Sequence, residues 1–297
     1  MFLAGACPSK IGAVTVLEVI QKSAEFLARK GVESPRLQAE LLLAHVLKMP
    51  RMNLYLNFDR KLAEAELAVL RELVKRRGQH EPLQYIVGSA NFCGLDLAVN
   101  RHVLVPRPET ELLAQKGWEF LLRRAPGQVT ALDFGTGSGC IAIALGVHCP
   151  HATVWAIDSA EAALAVARQN AQRHGVLDRI KFLCSDGFAG LPAGLQFDLI
   201  VSNPPYIPSA QIAQLQPEVR DYEPRQALDG GPDGLDYFRR FAAEAGALLK
   251  PDGQLMLEFG DGQEQPVCAL FQRHNWVVVG VERDYNQQAR ILVACRS

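Results

Sequence analysis

The sequence predicts an α/β protein in which a parallel sheet is covered by helices on both faces and a small helical bundle precedes it. Three observations carry this. From Val129 onward, apolar strand-like runs alternate with helical segments, the pattern of a sheet built from strand–helix–strand units. Before that, residues 15–77 hold amphipathic repeats at helical spacing. Finally, Gly135 to Gly139, Asp158, Asp186 and Asn203 each follow the end of a successive apolar run. Ligands of open α/β sheets bind outside the carboxyl ends of the strands.

Composition narrows the function. The chain has 297 residues, 48% of them hydrophobic and 21% charged, with a net charge of −1. That is an ordinary globular composition with room for one large domain or two unequal ones. Residues 1–90 carry net +4 and the remainder net −5, so neither part has the basic excess of a protein that grips a polyanion. No stable nucleic-acid partner is expected. Seven scattered cysteines without a CxxC pair point to a reducing compartment and to no metal site. No apolar run reaches the ~18 residues of a membrane helix, and the start lacks the basic-then-apolar pattern of a secretory signal. The expected location is the cytoplasm, with no membrane contact.

In chain order, residues 1–13 read as a loose leader. Thr15 and Glu18 form a capping-box pattern, and Leu17, Ile20, Ala24 and Leu27 follow until Gly31. Ser34-Pro35 starts a second helix with Leu37, Leu41, Ala44 and Leu47, ending before Pro50. A third runs from about Leu62 to Arg77 with Leu67, Leu70 and Val74 on one stripe. Such helices with short connections make a bundle. Gln84 to Val87 and Leu95 to Val99 read as strands of a hairpin linker around Gly88 and Gly94. Pro106 to Thr110 then enters a helix carrying Leu112, Leu113, Trp118 and Leu121. The predicted organisation is a helical domain over residues 1–80, a hairpin linker over 81–105 and the sheet domain over 106–297.

The strand Val129 to Phe134 runs into Gly135-Thr136-Gly137-Ser138-Gly139 and the helix from Cys140. Glycines there permit a tight turn and let backbone N–H groups approach a ligand; the spacing departs from the dinucleotide fingerprint G-x-G-x-x-G. Asp158 closes the strand Ala152 to Ile157 about 20 residues on, where such folds bond ribose hydroxyls; capping of the next helix is the alternative. After the strand Arg179 to Cys184, Asp186 is placed to accept from a purine amine and Phe188 to pack on its ring, with capping and core packing as the plain alternatives. Phe197 to Val201 delivers Asn203-Pro204-Pro205-Tyr206. Prolines fix φ and remove donors, leaving the Asn203 and Pro204 carbonyls to accept from elsewhere. This rigid platform suits a flat ligand group with two N–H donors, an amide or an aromatic amine. A strand-ending turn is the simpler account of the same four residues. Asp221 to Asp236 reads as a polar loop, either a lid or a connector. A helix from Gly234 to Leu249, a strand from Gln254 to Phe259 and a closing pair, Trp276 to Val281 with Ala289 to Ala294, complete the chain.

Together, DFGTGSG at 133–139, Asp158 and NPPY at 203–206 resemble a class I S-adenosylmethionine-dependent methyltransferase, with its Rossmann-like sheet. VLVPRPETELL at 103–113, VSNPPYIP at 201–208 and DYEPRQALDGGPDGLDYFRR at 221–240 narrow the resemblance to the protein-(glutamine-N5) methyltransferases of the HemK/PrmC type. The resemblance implies that Gly135, Thr136, Gly137, Ser138 and Gly139 cradle the methionine part of S-adenosyl-L-methionine. It places Asp158 on the ribose, Asp186, Gly187 and Phe188 around the adenine, and Asn203 at the cofactor as well. This chain has Gly187 where relatives often carry a large residue. Asn203, Pro204, Pro205 and Tyr206 are implied to bind the Gln of the Gly-Gly-Gln loop of peptide-chain release factors, with Asn203, Pro204 and Tyr206 catalytic. The implied enzyme is a release factor methyltransferase of translation termination; a monomer is the expected state, which the sequence itself does not fix. Methylation of a ribosomal-protein glutamine, an adenine-N6 nucleic-acid methyltransferase and a non-catalytic cofactor-binding adaptor are the competing readings.

Overall fold

The computed structural model describes residues 14–124 and 127–297; the leader expected at 1–13 lies outside the described residues. Residues up to Val87 form one compact unit and those from Gly88 a second.

The first unit contains α1 (Val16–Arg29), α2 (Pro35–Leu47), α3 (Arg51–Tyr55), α4 (Glu64–Arg77) and α5 (Leu83–Val87). The capping box is present: the Glu18 N–H donates to Thr15 Oγ1 and the Thr15 N–H to Glu18 Oε2, 2.8 Å away. Val16, Ile20, Leu27, Leu54 and Leu70 fill the core. In α2 the expected stripe is rotated. Of the expected residues Ala44 is buried and Leu37 exposed, while Ala39, Leu42 and Leu43 are buried beside Ala44, because this helix is apolar on nearly every side and periodicity cannot choose its inner face. Glu40 is buried with them and is held by Arg36, Arg51 and Tyr55. Residues 84–87 are helical, not extended as predicted. The Tyr85 and Ile86 N–H groups donate to the Pro82 carbonyl, and a short apolar run has no period by which a buried helical turn differs from a strand.

In the second unit the hairpin is therefore β1 (Ser89–Phe92) with β2 (Leu95–Ala98), turning at Cys93 and Gly94, both at positive φ as a tight hairpin requires. The buried Asn170 side chain bonds both the N–H and the C=O of Ala98 and the Ser138 carbonyl. The hairpin is thus packed onto the sheet domain. Next come α6 (Pro108–Arg123), β3 (Val129–Phe134), α7 (Cys140–His148), β4 (Ala152–Asp158), α8 (Glu161–Arg173), β5 (Ile180–Cys184) and β6 (Phe197–Ser202). After them lie α9 (Pro217–Arg220), α10 (Asp236–Glu244), β7 (Leu249–Glu258), α11 (Glu264–Arg273), β8 (Trp276–Arg283) and β9 (Ala289–Arg296).

The seven-stranded sheet has the order β5-β4-β3-β6-β7-β9-β8. Its first five strands are parallel, and β9 is antiparallel to both neighbours. The closing pair is thus a hairpin whose second strand lies inside. Ile291 to Ala294 are all buried whereas Val277 and Val279 on β8 are exposed, which suits β8 to the edge. Both faces of β6 are buried, as a doubly covered parallel sheet demands. Leu113, Ile141, Ile143 and Leu145 cover one face; Phe238, Phe241, Val267 and Phe271 cover the other. Burying each such side chain stabilises by roughly 1.5–3 kcal/mol. Strand order reverses between β3 and β6, and that switch point opens a crevice at their carboxyl ends.

Candidate active site

The chain leaves β3 through three glycines, all at positive φ. Gly139 shows why: a Cβ there would stand 2.9 Å from Ile143 Cδ1 and 3.1 Å from Ala167 Cβ, so the loop packs flush between α7 and α8. The Gly135 and Thr136 N–H groups donate to the Ile157 carbonyl, 2.9 Å each, which ties the loop to the end of β4. Asp158 continues that tie. Its Oδ2 accepts from the Gly137 N–H and its Oδ1 from the Ala160 N–H, both at 2.9 Å. Asp158 therefore both steadies the loop and lines the crevice. Beneath the loop, buried Asp133 accepts from Thr136 Oγ1 at 2.6 Å and from the Ala142 N–H at 3.1 Å. Burial pushes its carboxyl up to about 7, against those two bonds.

One cavity runs along the strand ends. Gly135, Gly137, Asp158, Asp186, Gly187 and Asn203 all line it, together with Tyr237. Thr136 and Ser138 line a smaller adjoining cavity with Asn203. Asp186 is fixed by Arg240, whose Nη1 donates to Oδ1 and Nη2 to the backbone carbonyl, 2.8 Å each. Gly187 lies at φ +80°, and a Cβ there would meet Arg240 Nη2 at 1.9 Å. Phe188 is placed differently from the other predicted residues. It is 7% exposed and packs on Phe134 and Phe241 at ring distances of 4.9 and 5.6 Å, in the core and off the cavity wall. The aromatic rings on the cavity wall are Phe134 and Tyr237, the second a residue the sequence reading quoted without assigning.

At the end of β6, Ser202 Oγ donates to the Phe134 carbonyl at 2.7 Å, locking the ends of β6 and β3 together. Asn203 Nδ2 donates to Thr110 Oγ1 at 2.9 Å. Among the described residues no donor is bonded to Asn203 Oδ1 or to the Pro204 carbonyl. The Tyr206 carbonyl accepts from Gln263 Nε2 at 2.9 Å, and burial raises its phenol far above the ordinary tyrosine range, so the ring stays neutral. The 221–236 segment is pinned to this platform: the Ile207 N–H donates to the Leu228 carbonyl and the Gly230 N–H to the Ile207 carbonyl. Arg107 Nη2 meets the buried Glu223 carboxyl at 2.7 Å. Burial pushes Glu223 up to about 7, with Arg107 opposing. A further cavity, lined by Leu104, Arg107, Asn203, Pro204, Tyr206 and Leu228, lies where the 106–110 and 221–236 segments flank the platform. Asn203 thus lines all three cavities.

Residues 18–88 match the family described as PrmC N-terminal domain, and residues 114–216 match the methyltransferase small domain. A release factor glutamine methyltransferase of Geobacter sulfurreducens is 46% identical over 279 residues, spanning 94% of this chain and 95% of that one. Those of Chlorobaculum tepidum and Nitratidesulfovibrio vulgaris are 44% and 40% identical, spanning 93% and 98% of this chain and 95% and 98% of theirs. This chain belongs to the release factor glutamine methyltransferase family.

As a methyltransferase of that family it needs a site for S-adenosyl-L-methionine, and its residues fit one. At Gly135 nothing lies within 4 Å of where a Cβ would stand, and at Gly137 only the Gly135 carbonyl reaches that distance. The loop is therefore an open cradle that side chains would fill. Asp133 Oδ1 and Ser138 Oγ are buried beside it without a hydrogen-bond partner among the described residues, unused capacity suited to a donor-rich amino acid end. Asp158, then Asp186 with Tyr237, line the cavity beyond the loop, where they could hold a nucleoside end. Thr110, Glu223 and Glu258 are the site residues that sequence reasoning passed over. The Pro106–Thr110 motif pointed at the first; buried acids on a strand end and in a loop give no local signal.

Proposed function

We propose that this chain transfers a methyl group from S-adenosyl-L-methionine to the side-chain N5 of the Gln in the Gly-Gly-Gln motif of peptide-chain release factors, as a cytoplasmic monomer. The observation that carries this reading is the Asn203–Pro204 pair. Two carbonyl oxygens without donors among the described residues stand at a rigid strand end that lines the cofactor cavity and a further cavity. An amide NH₂ has two N–H groups to give them.

An amide nitrogen is a poor nucleophile because its lone pair is delocalised into the carbonyl. Bound S-adenosyl-L-methionine supplies an electrophilic methyl group. Asn203 Oδ1 and the Pro204 carbonyl accept the two substrate N–H bonds, which orients the nitrogen and raises its electron density. Tyr206, neutral and held through its carbonyl by Gln263, stacks on the flat amide. The same two oxygens stabilise positive charge as it develops on nitrogen. Holding the reactants in place can by itself supply about 7–11 kcal/mol of barrier lowering. The methylated amide is strongly acidic and loses its proton to water, so no residue is assigned as general base. The N-terminal helical unit and the 106–110 and 221–236 segments are assigned to recognition of the protein substrate.

The test is methyl transfer from labelled cofactor to a purified release factor, with a Gly-Gly-Ala variant and duplex DNA alongside and the product located by mass spectrometry. Label on the Gln that vanishes in the variant is the expected result. Label on DNA alone would support adenine methylation, and no label despite cofactor binding would support an adaptor.

A further inference from the structure

Helix α10 brings two side chains to the cofactor cavity. Tyr237 lines it, and Arg240, three residues on and so on the same side of the helix, grips Asp186, another residue of the wall. Phe238 and Phe241 beside them are buried in the core and hold the helix on the sheet. Arg240 Nη1 donates to Asp186 Oδ1 and Nη2 to the Asp186 carbonyl, 2.8 Å each. Asp186 Oδ2 has no hydrogen-bond partner among the described residues. The Asp186 side chain is 85% exposed and that of Arg240 28%, and an ion pair so open to water contributes little to stability. Yet the chain makes room for it. Gly187, at φ +80° and without a Cβ, leaves free the space where the guanidinium lies.

We infer that α10 selects the base of the cofactor: Arg240 is a positioning residue that holds Asp186 with one oxygen committed and the other open to the exocyclic amine of the adenine, and the Tyr237 ring covers the base. The inference goes beyond the proposed function, since it rests on the cofactor and not on which substrate receives the methyl group. An exposed carboxylate on a loop turns freely about its two side-chain bonds. A guanidinium fork that grips both the side chain and the backbone of one residue removes that freedom before a ligand arrives, so less is lost on binding. The oxygen left over only accepts. A base with an amine gives it a proton; a base without one leaves a carboxylate stripped of water and unpaired, and a site built in that way rejects the analogue. Arg240 also offsets the negative charge that Asp186 adds to that of Asp158 on the same wall.

The experiment is calorimetry on the full chain with two ligands, S-adenosyl-L-homocysteine and its 6-deamino analogue, in which hydrogen replaces the amine. The proteins are wild type, Arg240→Ala, Arg240→Lys, Tyr237→Phe and Tyr237→Leu, each also followed by thermal unfolding. Wild type is expected to prefer the amine-bearing ligand by about 10- to 100-fold, the worth of a hydrogen bond to a charged group. Arg240→Ala is expected to bind S-adenosyl-L-homocysteine about 10-fold more weakly and the analogue within about threefold of wild type, so that the preference shrinks. Arg240→Lys, a point charge without the fork, is expected to fall between. Tyr237→Leu is expected to weaken both ligands alike, about 10-fold, and Tyr237→Phe, which keeps the ring, to bind both more tightly than the leucine variant. A wild type that binds the two ligands equally would overturn the inference, as would an Arg240→Ala variant that keeps the full preference. Equal loss of both ligands in Arg240→Ala would make Arg240 a structural residue only and overturn its part. Tyr237→Leu affinities equal to wild type would overturn the part given to the ring. Should Arg240→Ala not fold, Arg240→Lys against wild type makes the same comparison.

Discussion

The Asp158 carboxylate accepts from the Gly137 N–H at 2.9 Å, so the end of β4 holds the loop that follows β3. A second oxygen of the same group accepts from the Ala160 N–H. Both alternatives posed by the sequence, a ligand contact and a local backbone bond, are therefore open to one side chain at once. Hydrogen bonds to a charged group contribute about 1.5–3 kcal/mol each, and 1.4 kcal/mol is tenfold in affinity. Asp158→Ala is expected to weaken cofactor binding by roughly 10- to 100-fold with the chain still folded. Calorimetry with S-adenosyl-L-methionine checks it, and an unchanged Kd would remove Asp158 from the site.

Gly187 is held in a conformation and a space that, in this chain, a side chain would strain. Its φ is +80°, and a Cβ would overlap the Arg240 guanidinium. Gly187→Ala must displace Arg240 from Asp186. A non-glycine residue in that backbone region costs about 1–3 kcal/mol. The expected outcome is a lowered unfolding midpoint and weaker cofactor binding; an alanine variant equal to wild type in both would contradict the placement.

Burial raises the Glu258 carboxyl from its ordinary 4.5 to about 7. Between those values the folded chain keeps a proton that the unfolded chain has released. Its contribution to stability is therefore full below the unfolded value and is lost as pH rises through the folded one. Asp133 and Glu223, also raised to about 7 by burial, act in the same direction. Glu258→Gln should flatten the decline of the unfolding midpoint between pH 5 and 7, ~4.5 to ~7 being the titration window. An unaltered slope would mean that Glu258 does not titrate there.

The N-terminal helical unit ends at Val87. Removal of residues 1–87 is expected to depress methylation of an intact release factor far more than cofactor affinity, comparing kcat/KM with Kd. Equal losses in both, or none in the first, would argue against a recognition role.

Much of this architecture could be read from the sequence because its signals are local. The capping box at Thr15, the glycines after β3 and the prolines after Asn203 each act within a few residues. The strand ends bearing Gly135 to Gly139, Asp158, Asp186 and Asn203 were visible for the same reason. What escaped is set by packing at a distance. Residues 84–87 turn helical after Pro82, α2 turns a different face inward, and β9 enters the sheet ahead of β8, none of which a short apolar run specifies. Phe188 belongs to the core because Phe134 and Phe241 meet it there. Thr110, Glu223 and Glu258 lie 93, 20 and 55 residues from Asn203 in the chain, so their part in the platform emerges only on folding.

On the proposed function the glycine loop and Asp158 hold the cofactor, while Asn203 orients the substrate amide. Asn203→Ala tests it most directly, by following methyl transfer to a release factor and S-adenosyl-L-methionine affinity on the same protein. Because one such oriented group contributes about 10²–10³ in rate, turnover is expected to fall at least that far while cofactor Kd stays nearly as in wild type. Equal loss of turnover and cofactor affinity, or turnover that survives the substitution, would contradict it.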